Sequence, residues 1–253
     1  MYAKLVTPQY RLFLPEANLE TGFDVNYVSS RSSHCDICKL SLDPEVAIVL
    51  QGQDVSECAV QMGNDEDYDD LIQGTGEWQE EGRTILIRDG MARLLNTEVR
   101  ATFLSCHPQE AVRYILCLAG VDRYVLSEEP YETKRVFSVD AQNACDALKQ
   151  LNAAWGISTT FFYWNDTFYW GTQPEQEQLL ELNDDNVLDL EKNGDLWTAD
   201  IVGLPWIHHS QLVMVNCEEL IGVGLVEKCV IQSRGEAFTD MYLTFSIVED
   251  ENG

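Results

Sequence analysis

Four groups of residues carry types and spacings that could do chemistry. They are the adjacent pair His208–His209, the cluster His34-Cys35-x-x-Cys38, the acidic run "DEDYDD" at 65–70 and the aromatic run "FFYWNDTFYW" at 161–170. A zinc ion needs about four ligands in a tetrahedral array. The His34, Cys35, Cys38 cluster has a single CxxC, and on a strand Cys35 and Cys38 point to opposite faces. Cys106 and His107 could complete a set, but no spacing demands it. That leaves open whether Cys35 and Cys38 bind metal. His208 and His209, if on a strand, also point to opposite faces and are not expected to share an ion. Pro205, just before them, lacks a backbone donor and interrupts a strand. The pair is therefore read as a corner between two structural pieces.

Hydrolytic chemistry finds less support. The acidic run reads as a solvated turn, and no carboxylate pair stands out from an acidic background. There is no GxSxG, HExxH or P-loop pattern, and Ser210 beside His209 is not a triad signature. The aromatic run could stack on carbohydrate. At strand spacing, however, half of its side chains should face a small core. No catalytic residue, cofactor or metal site is assigned, and the chain is not expected to be an enzyme.

The elements that would position these groups are mostly strands. Residues 1–22 read as an extended arm, since Pro8 and Pro15 discourage a helix. Residues 23–95 read as a first β-barrel of short strands. Two of them lie in "EVAIVLQGQDVSECAVQMG" around Gly52, and others run through Leu71–Ile72 and Thr84–Arg88, with a turn at Gly74–Gly76. Residues 96–172 form an α/β insert. Its first helix has Pro108 at the first position, Glu110 in the first turn, and Gly120 at the end. Its second starts at Asp140 as N-cap, buries Ala144, Ala147, Leu148 and Leu151, and stops at Gly156. An Asn165–Asp166 hairpin follows. Residues 173–253 read as a closing β-barrel with turns at Asn193–Gly194, Gly222–Gly224 and Arg234–Gly235 and a short acidic tail. The fold class is thus α+β, mainly β.

The totals fit a globular protein. Of 253 residues, 45% are hydrophobic, and 43 acidic residues against 16 basic give a net charge of −27. That surface repels phosphates and anionic membranes. It serves solubility, or it forms an acidic wall past which a polyanion slides. The eight cysteines are not at framework spacings and read as buried thiols from a reducing compartment. No signal peptide or bilayer-spanning run is recognised, so a soluble product is expected.

Three stretches resemble the tail hub (baseplate hub) family of bacteriophages and related contractile particles. They are "IRDGMARLLNTEVRATFLSCHPQEAVRYILCLAGV", "FSVDAQNACDALKQLNAAWGISTTFFYWNDTFYWG" and "DLWTADIVGLPWIHHSQLVMVN…GVGLVEKCVIQSRGEAFTDMYLTF". The resemblance implies two tail-tube-like β-barrel domains flanking the small insert. It implies a homotrimeric ring in a virion tail tip or baseplate, assembled in the host cytoplasm. The implied partners are a tail tube or distal-tail protein, a central spike or fibre protein and a tape measure protein. DNA would pass the lumen only transiently, and no stable membrane insertion is implied. The chain lacks the long extensions of some hub relatives, so hydrolase or receptor-binding work would fall to other chains. Two other readings stand beside it: a distal-tail or tube-terminating ring protein on the same barrel, and an envelope-degrading hydrolase.

Overall fold

The computed structural model describes residues 8–31, 35–64, 67–79, 82–176, 179–202, 207–234 and 238–248. The elements in chain order are β1 (Gln9–Leu14), β2 (Ala17–Leu19), β3 (Phe23–Ser30), β4 (Ile37–Leu42), α1 (Pro44–Leu50), β5 (Cys58–Asn64), β6 (Asp67–Gln79) and β7 (Thr84–Arg88). Next come α2 (Met91–Leu95), β8 (Val99–Cys106), α3 (Pro108–Leu118), β9 (Tyr124–Leu126), β10 (Lys134–Ala141), α4 (Ala144–Trp155), β11 (Phe161–Trp164) and β12 (Thr167–Trp170). The chain closes with β13 (Leu180–Asn183), β14 (Val187–Asn193), β15 (Leu196–Ile201), β16 (Leu212–Cys217), β17 (Leu220–Arg234) and β18 (Phe238–Ile247). Of the described residues, 54% are strand and 16% helix, so the fold is mainly β. It divides into two compact units, residues 1–88 with 175–253, and residues 89–174.

The first unit is built on one thirteen-stranded sheet, curled into a half-barrel. Its main path runs β14-β15-β18-β17-β3-β4-β7-β6-β5-β1-β2, with β16 and β13 branching from β17. Two long strands make this possible. β6 pairs with β5 through its first part and with β7 through Thr75–Gln79. β17 pairs with β18 along one side. On the other side it pairs with β16 through Leu220–Leu225 and with β3 through Lys228–Gln232. The β segments before and after residues 89–174 therefore share a sheet, and they share one hydrophobic core running from Leu12 and Leu40 to Leu243 and Phe245. The inward rows follow strand alternation: Cys38, Leu40 and Leu42 of β4 are buried, as are Met241, Leu243 and Phe245 of β18.

Several expectations are corrected here. Pro8 and Pro15 flank a strand rather than loosening an arm: β1 pairs with both β2 and β5, and Leu12 is fully buried. Residues 44–50 are a helix, not a strand. Pro44 at its start, Glu45 in its first turn and buried Ala47 and Leu50 at i, i+3 outweigh its β-branched residues. Gly74 and Gly76 make no turn. They lie within β6, where Gly76 N–H donates to Val55 O at 2.8 Å and a Cβ at 76 would come 2.6 Å from that oxygen. Gly222 and Gly224 lie within β17, Gly224 directly under the Phe245 ring. Neither pair reverses the chain, and Gly76 and Gly224 mark close approach of a neighbour. Gly194, with φ 65°, does turn the β14–β15 hairpin. The expected turn at Arg234–Gly235 runs into residues outside those described.

The second unit holds an antiparallel β8–β10 pair, a three-stranded β11-β12-β9 sheet and helices α2 to α4. α3 begins at Pro108, and His107 N–H donates to Glu110 Oε2 at 2.8 Å. Gly120 takes φ 68° just past its end. In α4 the buried face is the expected Ala144, Ala147, Leu148 and Leu151, and Gly156 ends it with φ 67°. Its N-cap is Asn143, whose side chain accepts from Asp146 N–H. Asp140, the expected cap, is still in β10. Asn165 and Asp166, at φ 46° and 53°, form the two-residue turn between β11 and β12.

Candidate functional site

The chemistry-bearing residues that converge are not the ones the CxxC suggested. Asp36 immediately precedes β4, and β3 with β4 brings it against Tyr27 and Ser30. His208 and His209 lie in the turn before β16. That turn is fixed by Ser210, whose φ of 68° is unusual for a residue with a side chain. Ser210 N–H donates to Val226 O at 2.7 Å, and His208 N–H donates to Gln211 Oε1 at 2.8 Å. Because the chain is turning, the two rings do not diverge as they would on a strand. Their centroids are 4.1 Å apart and both face Asp36. The expectation of opposite faces fails for this reason, while the reading as a corner holds.

The geometry is specific. His208 Nε2 is 2.7 Å from Asp36 Oδ2, and His209 Nε2 is 3.7 Å from Asp36 Oδ1. His208 Nδ1 is 2.8 Å from His209 O, a carbonyl that can only accept, so this nitrogen carries a proton. His209 Nδ1 is 2.9 Å from Ser210 Oγ. Tyr27 O–H donates to Asp36 Oδ2 at 3.0 Å, Ser30 N–H donates to Asp36 Oδ1 at 3.3 Å, and His209 N–H donates to Ser29 Oγ at 3.2 Å. All three side chains are buried, Asp36 to 4% exposure.

The electrostatics follow from this packing. Burial pushes the Asp36 carboxyl up. The adjacent His208 ring, its hydrogen bond, the His209 ring and Ser29 pull it down further, leaving it below its ordinary value and ionised. His209 is held neutral, lowered to about 3, first by burial and then by the neighbouring His208; Asp36 opposes this only in part. The site is thus a carboxylate facing one neutral imidazole and a second imidazole that hydrogen-bonds both ways.

The other candidate groups fall elsewhere. His34 lies outside the described residues. Cys38 points into the core, where burial and then the Cys58 thiol raise it far above the usual range, and the Cys35 thiol donates to Asp36 O at 3.3 Å. Among the described residues, neither belongs to a group of three potential ligands, whereas Asp36, His208 and His209 do. Cys106 and His107 belong to the second unit, where His107 Nδ1 meets Tyr131 O at 3.0 Å. In the acidic run, Asp70 accepts from Gln61 Nε2 at 2.9 Å, while Asp65 and Glu66 lie outside the described residues. In the aromatic run, Phe162, Tyr163, Phe168 and Trp170 are buried, and Trp170 Nε1 donates to Asn152 Oδ1 at 2.9 Å. Tyr163, Phe168 and Trp170 share one face of the hairpin, and Phe162 lies on the other, stacked against Tyr169.

The surface holds a second kind of feature. β2 and β14 end the main path of the sheet, and large apolar side chains stand in the open near its margin: Leu188 on β14 is 69% exposed and Ile221 on β17 is 79% exposed. An unpaired edge with exposed apolar residues is a template for another chain.

The sequence matches no protein-family model and no curated protein sequence. Solved structures do share the fold. The 43 kDa tail protein of prophage MuSo2 from Shewanella oneidensis is similar with a TM-score of 0.69 at 11% identity, over 94% of this chain and 96% of that one. A tail protein from Neisseria meningitidis gives 0.68 at 11% identity, over 96% and 97%. An E. coli component of the type VI secretion system, described as structurally similar to the T4 bacteriophage tail proteins gp27 and gp5, gives 0.66 at 11% identity, over 94% and 77%. The chain has the fold of phage tail-type proteins.

Proposed function

We propose that this protein is a structural tail hub (baseplate hub) subunit of a bacteriophage or phage-tail-like particle. The observation that carries the reading is the near end-to-end match of its architecture to two tail proteins, with a type VI secretion component matched over 77% of its own length. In this reading the curled sheet contributes two tail-tube-like β-barrel modules per chain, one on each side of the junction between β3 and β17, and residues 89–174 are the α/β insert. Three chains close a ring through a heterologous interface repeated by a fixed rotation. Two modules per chain then set six around the axis, so a threefold spike or fibre can meet a sixfold tube. The partners are the tail tube or distal-tail protein, the central spike or fibre and the tape measure protein. The ring sits at the tail tip or baseplate of the virion, and DNA crosses its lumen without lasting contact. The open β2 and β14 edges, Leu188 and Ile221 supply surfaces for neighbouring chains, and the net charge of −27 suits a channel that must not hold DNA. Among the described residues, no helix is long and apolar enough to cross a membrane.

Native mass spectrometry and electron cryomicroscopy of the assembled chain test this. Three copies with internal sixfold pseudo-symmetry are expected. Six equivalent copies would move the assignment to a distal-tail or tube-terminating ring, and a chain that stays monomeric and cleaves peptidoglycan would overturn it.

A further inference from the structure

We propose that Asp36, His208 and His209 form a binding site for one divalent late first-row metal ion such as Zn²⁺. The ion is held by the Nε2 atoms of both histidines and by the carboxylate of Asp36. Three features carry the assignment. The first is convergence: the ligand atoms of the three residues lie within 4.8 Å of one another, all buried, on segments far apart in sequence. A tetrahedral site with bonds of about 2.0–2.1 Å places neighbouring donors roughly 3.4 Å apart. The two nitrogen–oxygen separations here, 2.7 and 3.7 Å, bracket that value, so small ring rotations suffice.

The second feature is the outer shell. A metal-bound histidine almost always gives its other ring N–H to a carbonyl, a carboxylate or water, which fixes the tautomer. Here both Nδ1 atoms meet oxygens, His208 at the His209 carbonyl and His209 at the Ser210 hydroxyl. That arrangement turns both Nε2 atoms toward Asp36. The carboxylate is oriented in turn by Tyr27 O–H and Ser30 N–H. The third feature is the donor set. Once the ion displaces the His208 Nε2 proton to solvent, two neutral imidazoles and a carboxylate suit Zn²⁺, Fe²⁺, Ni²⁺ or Cu²⁺ rather than a hard ion, which would want six or more oxygens. Each Asp36 oxygen faces one Nε2, so the carboxylate, binding through one oxygen, gives with the two imidazoles three protein donors, and a water takes the fourth tetrahedral position. The ion would bind the turn before β16 to the β3–β4 corner, a structural cross-link rather than a reactive centre.

The test uses the untagged full chain, freed of metal with a chelator and titrated with Co²⁺ while visible absorption and proton NMR spectra are recorded. One Co²⁺ per chain is expected, with ligand-field bands and two paramagnetically shifted, exchangeable ring N–H signals, one for each Nδ1. One equivalent of Zn²⁺ should remove the bands. The His209→Asn variant should lose at least a hundredfold in affinity, while His107→Ala should bind as the natural chain does. A folded natural chain that takes up no Co²⁺ or Zn²⁺ overturns the proposal. So do bands without two shifted ring N–H signals, and equal uptake by the His209→Asn variant.

Discussion

His208 Nε2 lies 2.7 Å from Asp36 Oδ2, joining the turn before β16 to the residue that opens β4. Both partners are buried, so neither can be removed alone without leaving a polar group stranded away from water. Breaking a buried pair in this way costs about 3–5 kcal/mol. In the presence of chelator, Asp36→Asn should therefore lower the unfolding free energy by about 3 kcal/mol in urea titration, with an unchanged slope. A loss under about 1 kcal/mol would mean that the pair contributes little.

Gly76 tests a different kind of contact. A Cβ there would sit 2.6 Å from Val55 O and 2.8 Å from Cys58 Sγ, and the glycine's own N–H bonds to that same carbonyl. The obstruction is backbone, which cannot swing aside as a flexible side chain can. Gly76→Ala should destabilise by about 1–3 kcal/mol, the range for overpacking, seen as a lower midpoint in thermal unfolding. Gly52→Ala, with open space around its Cβ position, would have its strain confined to a positive φ of 84° and is the comparison to run alongside it.

The thiols should fall into two classes. Cys117 is exposed, and the other seven cysteines are buried and unpaired by disulfides. Burial and then the Asp146 charge push Cys145 up to about 12; burial and then Asp54 push Cys58 to about 11, against a partial pull from Gly76. The thiolate is the reactive form. At pH 8 the folded chain should give one fast equivalent with a disulfide reagent, and eight in denaturant. Cys117→Ser should abolish the fast phase.

Assembly should depend on side chains that folding does not use. Leu188 and Ile221 are largely exposed, and surface changes of this kind usually alter stability by no more than about 0.5 kcal/mol. Leu188→Glu with Ile221→Glu should leave the melting temperature nearly unchanged while shifting the mass in native mass spectrometry from the proposed ring to the single chain. An intact ring would move the interface elsewhere on the surface.

What the sequence made legible was local. Pro108 and Gly120 frame α3, Gly156 ends α4, and Asn165–Asp166 turn a hairpin, because each of these residues constrains its own backbone. Misreadings arose where a residue type has two uses. Val46, Ile48 and Val49 suggest a strand, yet Ile48 and Val49 are exposed on α1. Gly76 and Gly224 suggest turns, but they clear space for Val55 and Phe245. The Asp36 cluster was illegible for another reason. Nothing near His208 in sequence announces a carboxylate that β3 and β4 deliver, and nothing in a serine's type signals the positive φ at Ser210 that lets both rings face one way. The remaining signal lay in Asp36 itself, a carboxylate between Cys35 and Ile37 at the start of the alternating run that becomes β4.

The shared strand β17 sets an order of events during synthesis. Residues 89–174 carry all their own pairing partners and can become structured while the ribosome is still working. Residues 8–88 cannot finish their sheet, because β3 has to wait for Lys228–Gln232, which are made only after residues 89–174. The early segment must therefore be kept from sticking to its neighbours until β17 has been made, and a ribosome that stalls before residue 228 leaves a nascent chain with β3 unpaired on one side.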